Sequence, residues 1–85
     1  MMVVTEHKAG DEFLDLARGL LEVLSESPGF LAGRVGHSGD DPAIWVVVTT
    51  WVDVGSMRRG YGSFDAKVAA APVMTSAAHR VSAFE

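Results

Sequence analysis

The 85-residue chain contains no cysteine, no asparagine and no glutamine. Without cysteine it can form no disulfide and carry out no thiolate chemistry, and a reducing compartment is permitted. Without side-chain amides, neither Asn nor Gln can orient a substrate or supply a catalytic hydrogen bond. Basic residues are also few, with seven Lys and Arg against eleven Asp and Glu, for a net charge of −4. That balance argues against a nucleic-acid partner, whose binding depends on clustered positive charge.

Sequence signals for membranes, metals and phosphate groups are lacking as well. The first residues have neither a basic region nor a long apolar core, so we expect no signal peptide, no membrane span and a cytoplasmic location. The histidines His7, His37 and His79 are dispersed, one in each of three candidate strands, without metal-ligand spacing. We interpret them as edge or surface residues. The nine glycines form no phosphate-binding pattern. The sequence therefore predicts neither a metal nor a cofactor.

The strongest positive signal is the segment Ala43–Val52, AIWVVVTTWV, which is apolar or Thr at every position. In a strand, alternate side chains point to opposite faces. Neither face of this strand suits water, yet a chain of this length forms one domain (1–85) with one sheet and one helical layer. We expect helices to cover one face and a second copy of the chain to cover the other. The first face carries Trp45, Val47, Thr49 and Trp51, and the second carries Ile44, Val46, Val48, Thr50 and Val52.

The order of predicted elements indicates a fold class. Apolar periodicity predicts strands at Met2–His7, Phe30–His37, Ala43–Val52 and Ala78–Phe84 and helices at Asp11–Glu26 and Met57–Ala71. Asp11 and Ser56 are the expected N-caps, Gly60 and Gly62 interrupt the second helix, and Pro72 is expected to end it. The resulting βαββαβ order is that of an α+β ferredoxin-like plait with an antiparallel sheet. Its open face predicts a homodimer through Ile44, Val46, Val48 and Val52.

Aromatic residues near the interrupted helix suggest a binding cavity. We expect Trp45 and Trp51 to share the face that the helices cover, and the second helix to consist of two short pieces with Tyr61 near their joint. Large aromatic side chains in such a place line an apolar cavity or simply form core. If they line a cavity, the candidate substrate-binding residues are Trp45, Thr49 and Phe64. On the second helix, the residues expected to face inward are Phe64, Val68 and Ala71.

The same residues resemble a known family, over nearly the whole chain. Ser27-Pro28-Gly29-Phe30-Leu31, the turn Gly39-Asp40-Asp41-Pro42 and a strand ending in Thr50-Trp51 are similar to the antibiotic biosynthesis monooxygenase family. So are the segments Met57-Arg58-Arg59-Gly60-Tyr61, Phe64-Asp65-Ala66-Lys67-Val68 and Ala71-Pro72-Val73. The resemblance implies a dimeric α/β barrel made of two ferredoxin-like sheets packed face to face. It also implies a pocket between sheet and helices, lined by the Trp at position 51.

The resemblance further implies an activity, with some departures. Some members oxidise polycyclic aromatic phenols to quinones with O₂ and without metal or flavin, and others degrade haem. The quinone-forming and haem-degrading types use a pocket Asn, which this chain lacks, and the haem-degrading type needs a His on the second helix, which is also absent. Oxygenation without a cofactor needs a base or a group that stabilises the substrate anion. The candidate catalytic residues are therefore Trp51, Tyr61, Arg58 and His79.

Three functions remain open on the sequence. The first is a cofactor-independent monooxygenase acting on an aromatic phenol or hydroquinone. The second is a dimer of the same fold that binds a small molecule, or another partner, without catalysis. The third is an RNA-binding plait, which is disfavoured because the open face offers aliphatic side chains and the net charge is negative.

Overall fold

A computed structural model describes the backbone of residues 1–75 and 77–84 and the side chains of residues 1–75, 83 and 84. Strands are β1 (Met2–Lys8), β2 (Phe30–His37), β3 (Ile44–Trp51) and β4 (Ala77–Phe84); helices are α1 (Phe13–Ser25), α2 (Val54–Gly62) and α3 (Phe64–Met74). The predicted strands agree with these bounds to within one residue at each end. Among the described residues, no helix combines the length and the hydropathy needed to cross a membrane.

The four strands form one antiparallel sheet in the order β2-β3-β1-β4. This arrangement, with the helices packed on one face, confirms the predicted ferredoxin-like plait. Strands β1 and β3 are central, so each is paired on both sides. The residues of β1 that face the helices therefore lie in the middle of the domain.

The two faces of β3 differ as the alternation predicts. Its side chains alternate strictly between half-buried and buried along the strand, and the buried set is Trp45, Val47, Thr49 and Trp51. These four face the helices. The opposite set is only half-buried, and Val52, just beyond the strand, is 62% exposed. The chain alone thus leaves an aliphatic sheet face partly open to water.

The helix boundaries differ from the prediction at each cap. Helix α1 begins after Glu12 rather than Asp11, without a side-chain cap. Helix α2 is capped by Asp53, whose carboxylate accepts from the Ser56 amide at 2.7 Å, so Ser56 lies inside the first turn. Hydrogen bonds from the backbone amide and the side chain of Ser56 lower the pKa of Asp53. Pro72 does not end α3, because the turn continues until the Thr75 amide donates to the Ala71 carbonyl.

Helix α3 turns a different face inward from the one expected. Phe64 and Val68 are 78% and 58% exposed, and Ala71 is exposed as well. The prediction that these three face the core is therefore wrong. Ser63 separates the two helices and caps α3 by accepting from the Ala66 amide at 3.2 Å. The buried residues of the new helix are Ala66 and Val73.

Gly60 allows α2 to lie directly against the sheet. A Cβ atom at this position would be 2.3 Å from the Trp51 ring, far inside van der Waals contact. The helix backbone therefore rests on the indole, and the following residue, Tyr61, is placed beside it with ring centroids 5.8 Å apart. The glycine that interrupts the helical pattern is required by this close approach.

Candidate functional site

A cavity of about 320 Å³ lies between the sheet and the last two helices. Its volume is at the lower end of the range of about 300–1,000 Å³ that is usual for small-molecule sites. The surface that it presents is apolar. Strands β1 and β4 and helices α2 and α3 supply the lining residues, which are Val3, Thr5, Met57, Tyr61, Ala70, Met74 and Ala83.

Tyr61 connects the cavity to a short chain of hydrogen bonds. The Tyr61 hydroxyl lies 2.9 Å from Thr49 Oγ1, and the Trp51 indole N–H donates to the same Thr49 oxygen at 3.0 Å. Trp51 is 1% exposed and Thr49 is completely buried, so both lie behind Tyr61 as seen from the cavity. The three side chains form one unit, of which Tyr61 faces the ligand space.

The protonation of Tyr61 restricts what it can do. Burial raises the pKa of its phenol, and the hydrogen bond with Thr49 offsets this effect only in part. The phenol is therefore protonated at neutral pH. A protonated phenol can donate a hydrogen bond, but it is not a general base at this pH.

A second polar pair touches the cavity from β1. Thr5 lines it, and Thr5 Oγ1 lies 2.6 Å from Nε2 of His7. His7 is fully buried, with its ring 4.7 Å from that of Phe13. Burial lowers the pKa of His7, and a hydrogen bond with the Val73 backbone offsets this effect in part. The imidazole is therefore neutral at pH 7. Its interpretation as an edge or surface histidine is wrong, because β1 is a central strand.

The structure brings together only part of the predicted site. Tyr61 lines the cavity, with Thr49 and Trp51 behind it. Trp45 lies elsewhere: its indole N–H donates to the Ala9 carbonyl at 3.2 Å, and the His37 ring stacks on it with centroids 3.8 Å apart. Trp45 is not among the lining residues.

Two other candidates lie away from the cavity. Arg58 is exposed on α2, and Phe64 is exposed at the start of α3; neither lines the cavity. His79 belongs to β4, but its side chain lies outside the described residues. None of the described Arg, Lys, Asp or Glu side chains lines the cavity. Nor do the described residues include a cluster of three or more His, Cys, Asp or Glu able to hold a metal ion.

Sequence reasoning missed the contribution of β1. Val3, Thr5 and His7 are buried at alternate positions and face the helices. The period of two was present in the sequence. A strand of seven residues that includes polar side chains, however, gives no local signal that it lies in the centre of the sheet. The two thioethers in the wall, Met57 and Met74, were also missed.

Comparison with known proteins agrees with this architecture. The model of the antibiotic biosynthesis monooxygenase family matches residues 1–63. The cofactor-independent oxygenase SnoaB from Streptomyces nogalater is 19% identical with a TM-score of 0.83, over 99% of this chain and 86% of that one. A conserved Methanosarcina mazei protein is 20% identical with a TM-score of 0.80, over 95% and 84% of the two chains. A Mycobacterium tuberculosis protein is 13% identical with a TM-score of 0.75, over 95% and 86%.

The fold is an α+β plait with a cavity between its sheet and its helices. The family match covers most of the chain, so the protein belongs to the antibiotic biosynthesis monooxygenase family. No curated protein matches the sequence. At these identities the solved structures establish the fold alone.

Proposed function

We propose that the protein is a cofactor-independent monooxygenase that oxidises a neutral aromatic phenol or hydroquinone with O₂ in the cavity beside Tyr61. The observation that carries the proposal is the apolar cavity with one phenol-bearing wall residue, in a chain of this family. An apolar wall favours a flat hydrocarbon ring system over a charged metabolite. The name of the structural neighbour SnoaB, a cofactor-independent oxygenase, supports the same reaction class.

The reaction needs no external reductant, because the substrate supplies all the electrons. Loss of the phenol proton gives an electron-rich anion, which reduces O₂ and forms a carbon–oxygen bond at a ring carbon. Loss of water from the resulting hydroperoxide gives a quinone. One phenol and one O₂ are consumed, and one quinone and one water are released. The protein has to bind the ring, exclude bulk water and accept or stabilise the proton and the anion.

Tyr61 is the residue best placed to stabilise the substrate anion. Its ring is part of the wall, and its hydroxyl is held by Thr49, whose oxygen in turn accepts from the Trp51 indole. A donor fixed in this way loses little entropy when charge develops on a substrate oxygen. Trp51 then acts as a positioning residue. Arg58 and Phe64 have no part in this proposal, because both lie outside the wall.

A ligand-binding protein without catalysis is the second candidate, and one observation favours it. The polar groups nearest the cavity are already paired with one another, Thr5 with His7 and Tyr61 with Thr49. A wall of this kind binds an apolar molecule without acting on it. Oxygen consumption separates the two functions.

The test compares two leucine substitutions that are adjacent in α3. Ala70 lines the cavity, whereas Ala71 is exposed. We expect Ala70→Leu to fill the cavity and abolish O₂ uptake with naphthols and anthrones, measured without added metal or flavin. Ala71→Leu should keep the wild-type rate. Tight binding of these compounds without O₂ uptake in the wild type would establish the second function instead.

We also propose that the active form is a homodimer joined through the open sheet face. The half-buried residues Ile44, Val46 and Val48, and the exposed Val52 next to them, support this interface. An aliphatic strip of this kind on a central strand is costly to leave in water. The expected cytoplasmic location remains a prediction.

A further inference from the structure

Two of the four methionines of the chain are wall residues of the cavity. Met57 of α2 is half-buried, whereas Met74, the last residue of α3, is 37% exposed. The other two methionines are the first residues of the chain and lie outside the wall. A thioether packs like a hydrocarbon chain, but a peroxide can oxidise its sulfur to a polar sulfoxide. The wall therefore contains side chains whose polarity an oxidant can change.

The burial of the wall residues indicates where the cavity opens. Val3 and Thr5 are 4% and 6% exposed, so they form its deep end. Met74 and Ala83 line the same space and are exposed to water. The mouth of the cavity is therefore between the end of α3 and the end of β4. A ligand that enters by this mouth passes the Met74 side chain.

The described wall residues offer no hydrogen-bond donor to a polar group at the mouth. The surface that the cavity presents is apolar, and its two polar residues are paired behind it. Thr5 is paired with His7, and the Tyr61 hydroxyl is paired with Thr49. A sulfoxide oxygen on Met74 that faced an apolar ligand would thus be buried without a partner, which is unfavourable.

We propose that Met74 is a peroxide-sensitive gate, whose oxidation to the sulfoxide by hydrogen peroxide weakens the binding of apolar ligands in the cavity. The proposal goes beyond the proposed oxygenation and rests on it only in taking the cavity as the ligand site. In the step, the Met74 sulfur attacks one peroxide oxygen and the O–O bond breaks. The sulfur is oxidised by two electrons and keeps one oxygen atom, and the second oxygen leaves with both hydrogens as water.

Met2 provides a matched control for the gate. In the single chain it is 36% exposed, nearly the same as Met74, but it lies on the open face of the sheet. Leucine is close to methionine in volume and has no sulfur, so single leucine substitutions separate the two positions. Met2→Leu keeps the gate whether or not the proposed dimer covers position 2. Met57 is less exposed than Met74 and should be oxidised more slowly.

The test measures ligand binding before and after oxidation. The wild type, Met2→Leu and Met74→Leu are treated with hydrogen peroxide, which catalase then removes, and peptide mass spectrometry locates each sulfoxide. Isothermal titration calorimetry under nitrogen gives the Kd for 1-naphthol. We expect oxidation to raise Kd about tenfold in the wild type and in Met2→Leu, and to leave it unchanged in Met74→Leu. The two methionine sulfoxide reductases, one for each epimer, should together restore the wild-type Kd.

Each outcome decides the gate separately from the oxygenase. An unoxidised Met74, an unchanged Kd after its oxidation, or an equal rise of Kd in Met74→Leu overturns the gate. Weakened binding on oxidation of Met74, without O₂ uptake by the untreated wild type, supports the gate and overturns the oxygenase. Failure of the untreated protein to bind 1-naphthol overturns both.

Partial oxidation of the wild type decides the matter should Met74→Leu not fold. The fraction of sites with weakened binding should then equal the fraction of chains that carry the Met74 sulfoxide. A fraction that follows the Met57 sulfoxide instead, or neither sulfoxide, overturns the gate.

Discussion

The hydroxyl oxygens of Thr49 and Tyr61 lie 2.9 Å apart, and this contact links the buried face of β3 to the cavity wall. Thr49 is completely buried and also accepts the indole N–H of Trp51. A single threonine oxygen in the middle of an apolar strand is thus the hydrogen-bond partner of two aromatic side chains. The contact explains why a polar residue is placed among Trp45, Val47 and Trp51.

Thr49→Val should destabilise the fold, because it leaves the Trp51 indole N–H buried without an acceptor. The expected loss in the free energy of unfolding is about 1–3 kcal/mol. Thr49→Ser keeps the oxygen, so it should retain most of the hydrogen-bonding energy. Urea denaturation followed by tryptophan fluorescence measures both variants. Equal stability of Thr49→Val and Thr49→Ser would contradict the role of the shared oxygen.

Gly60→Ala should destabilise the protein although alanine favours helices. The added methyl group would meet the Trp51 ring at 2.3 Å and push α2 away from the sheet. We expect a loss of about 1–3 kcal/mol, typical of overpacking. Gly62→Ala is the matched control, since no atom lies within 4 Å of its added Cβ. Thermal denaturation should show a fall in Tm for Gly60→Ala alone.

Val48→Asp should dissociate the proposed dimer, because it places a charge in the centre of the open sheet face. Val68→Asp provides the control, as Val68 is 58% exposed on the helical side. Light scattering coupled to size-exclusion chromatography should give a dimer for the wild type and Val68→Asp and a monomer or aggregate for Val48→Asp. A folded wild-type monomer would refute the interface.

Stability should fall as the pH is lowered below 6.5. His7 has a folded-state pKa below the value of 6.5 expected in the unfolded chain. In this window the unfolded state binds a proton that the folded state does not, so acid favours unfolding. The contribution is fully present above pH 6.5 and is lost as the pH falls towards the folded-state pKa. Unfolding free energies measured at several pH values should show this slope, and His7→Phe should remove it.

The sheet could be predicted from the sequence more fully than the site. Strict alternation in β3 assigned Trp45, Val47, Thr49 and Trp51 to one face, and the structure buries all four. Side-chain alternation is a local property of a strand, so no tertiary information was needed. The order of the predicted strands and helices was then enough to identify the ferredoxin-like plait.

The cavity could not be placed from the sequence, because its walls depend on contacts between distant residues. In α3, Phe64 and Val68 are exposed whereas Ala70 lines the cavity, and this orientation depends on how the helix packs against the rest of the domain. The burial of His7 depends on β1 being paired on both sides, which is a property of the whole sheet. The composition of the segment Met57–Ala71, with its two glycines, indicates neither the orientation of α3 nor the burial of His7.

The most direct measurement of the central claim is the fate of ¹⁸O₂ in the presence of the purified protein freed of metal and flavin. With anthrone or 1-naphthol as substrate, the account predicts a quinone that carries one ¹⁸O atom, formed by the wild type and Ala71→Leu but not by Ala70→Leu. Quinone formation that is no faster than without protein, or equally fast in Ala70→Leu, would contradict it.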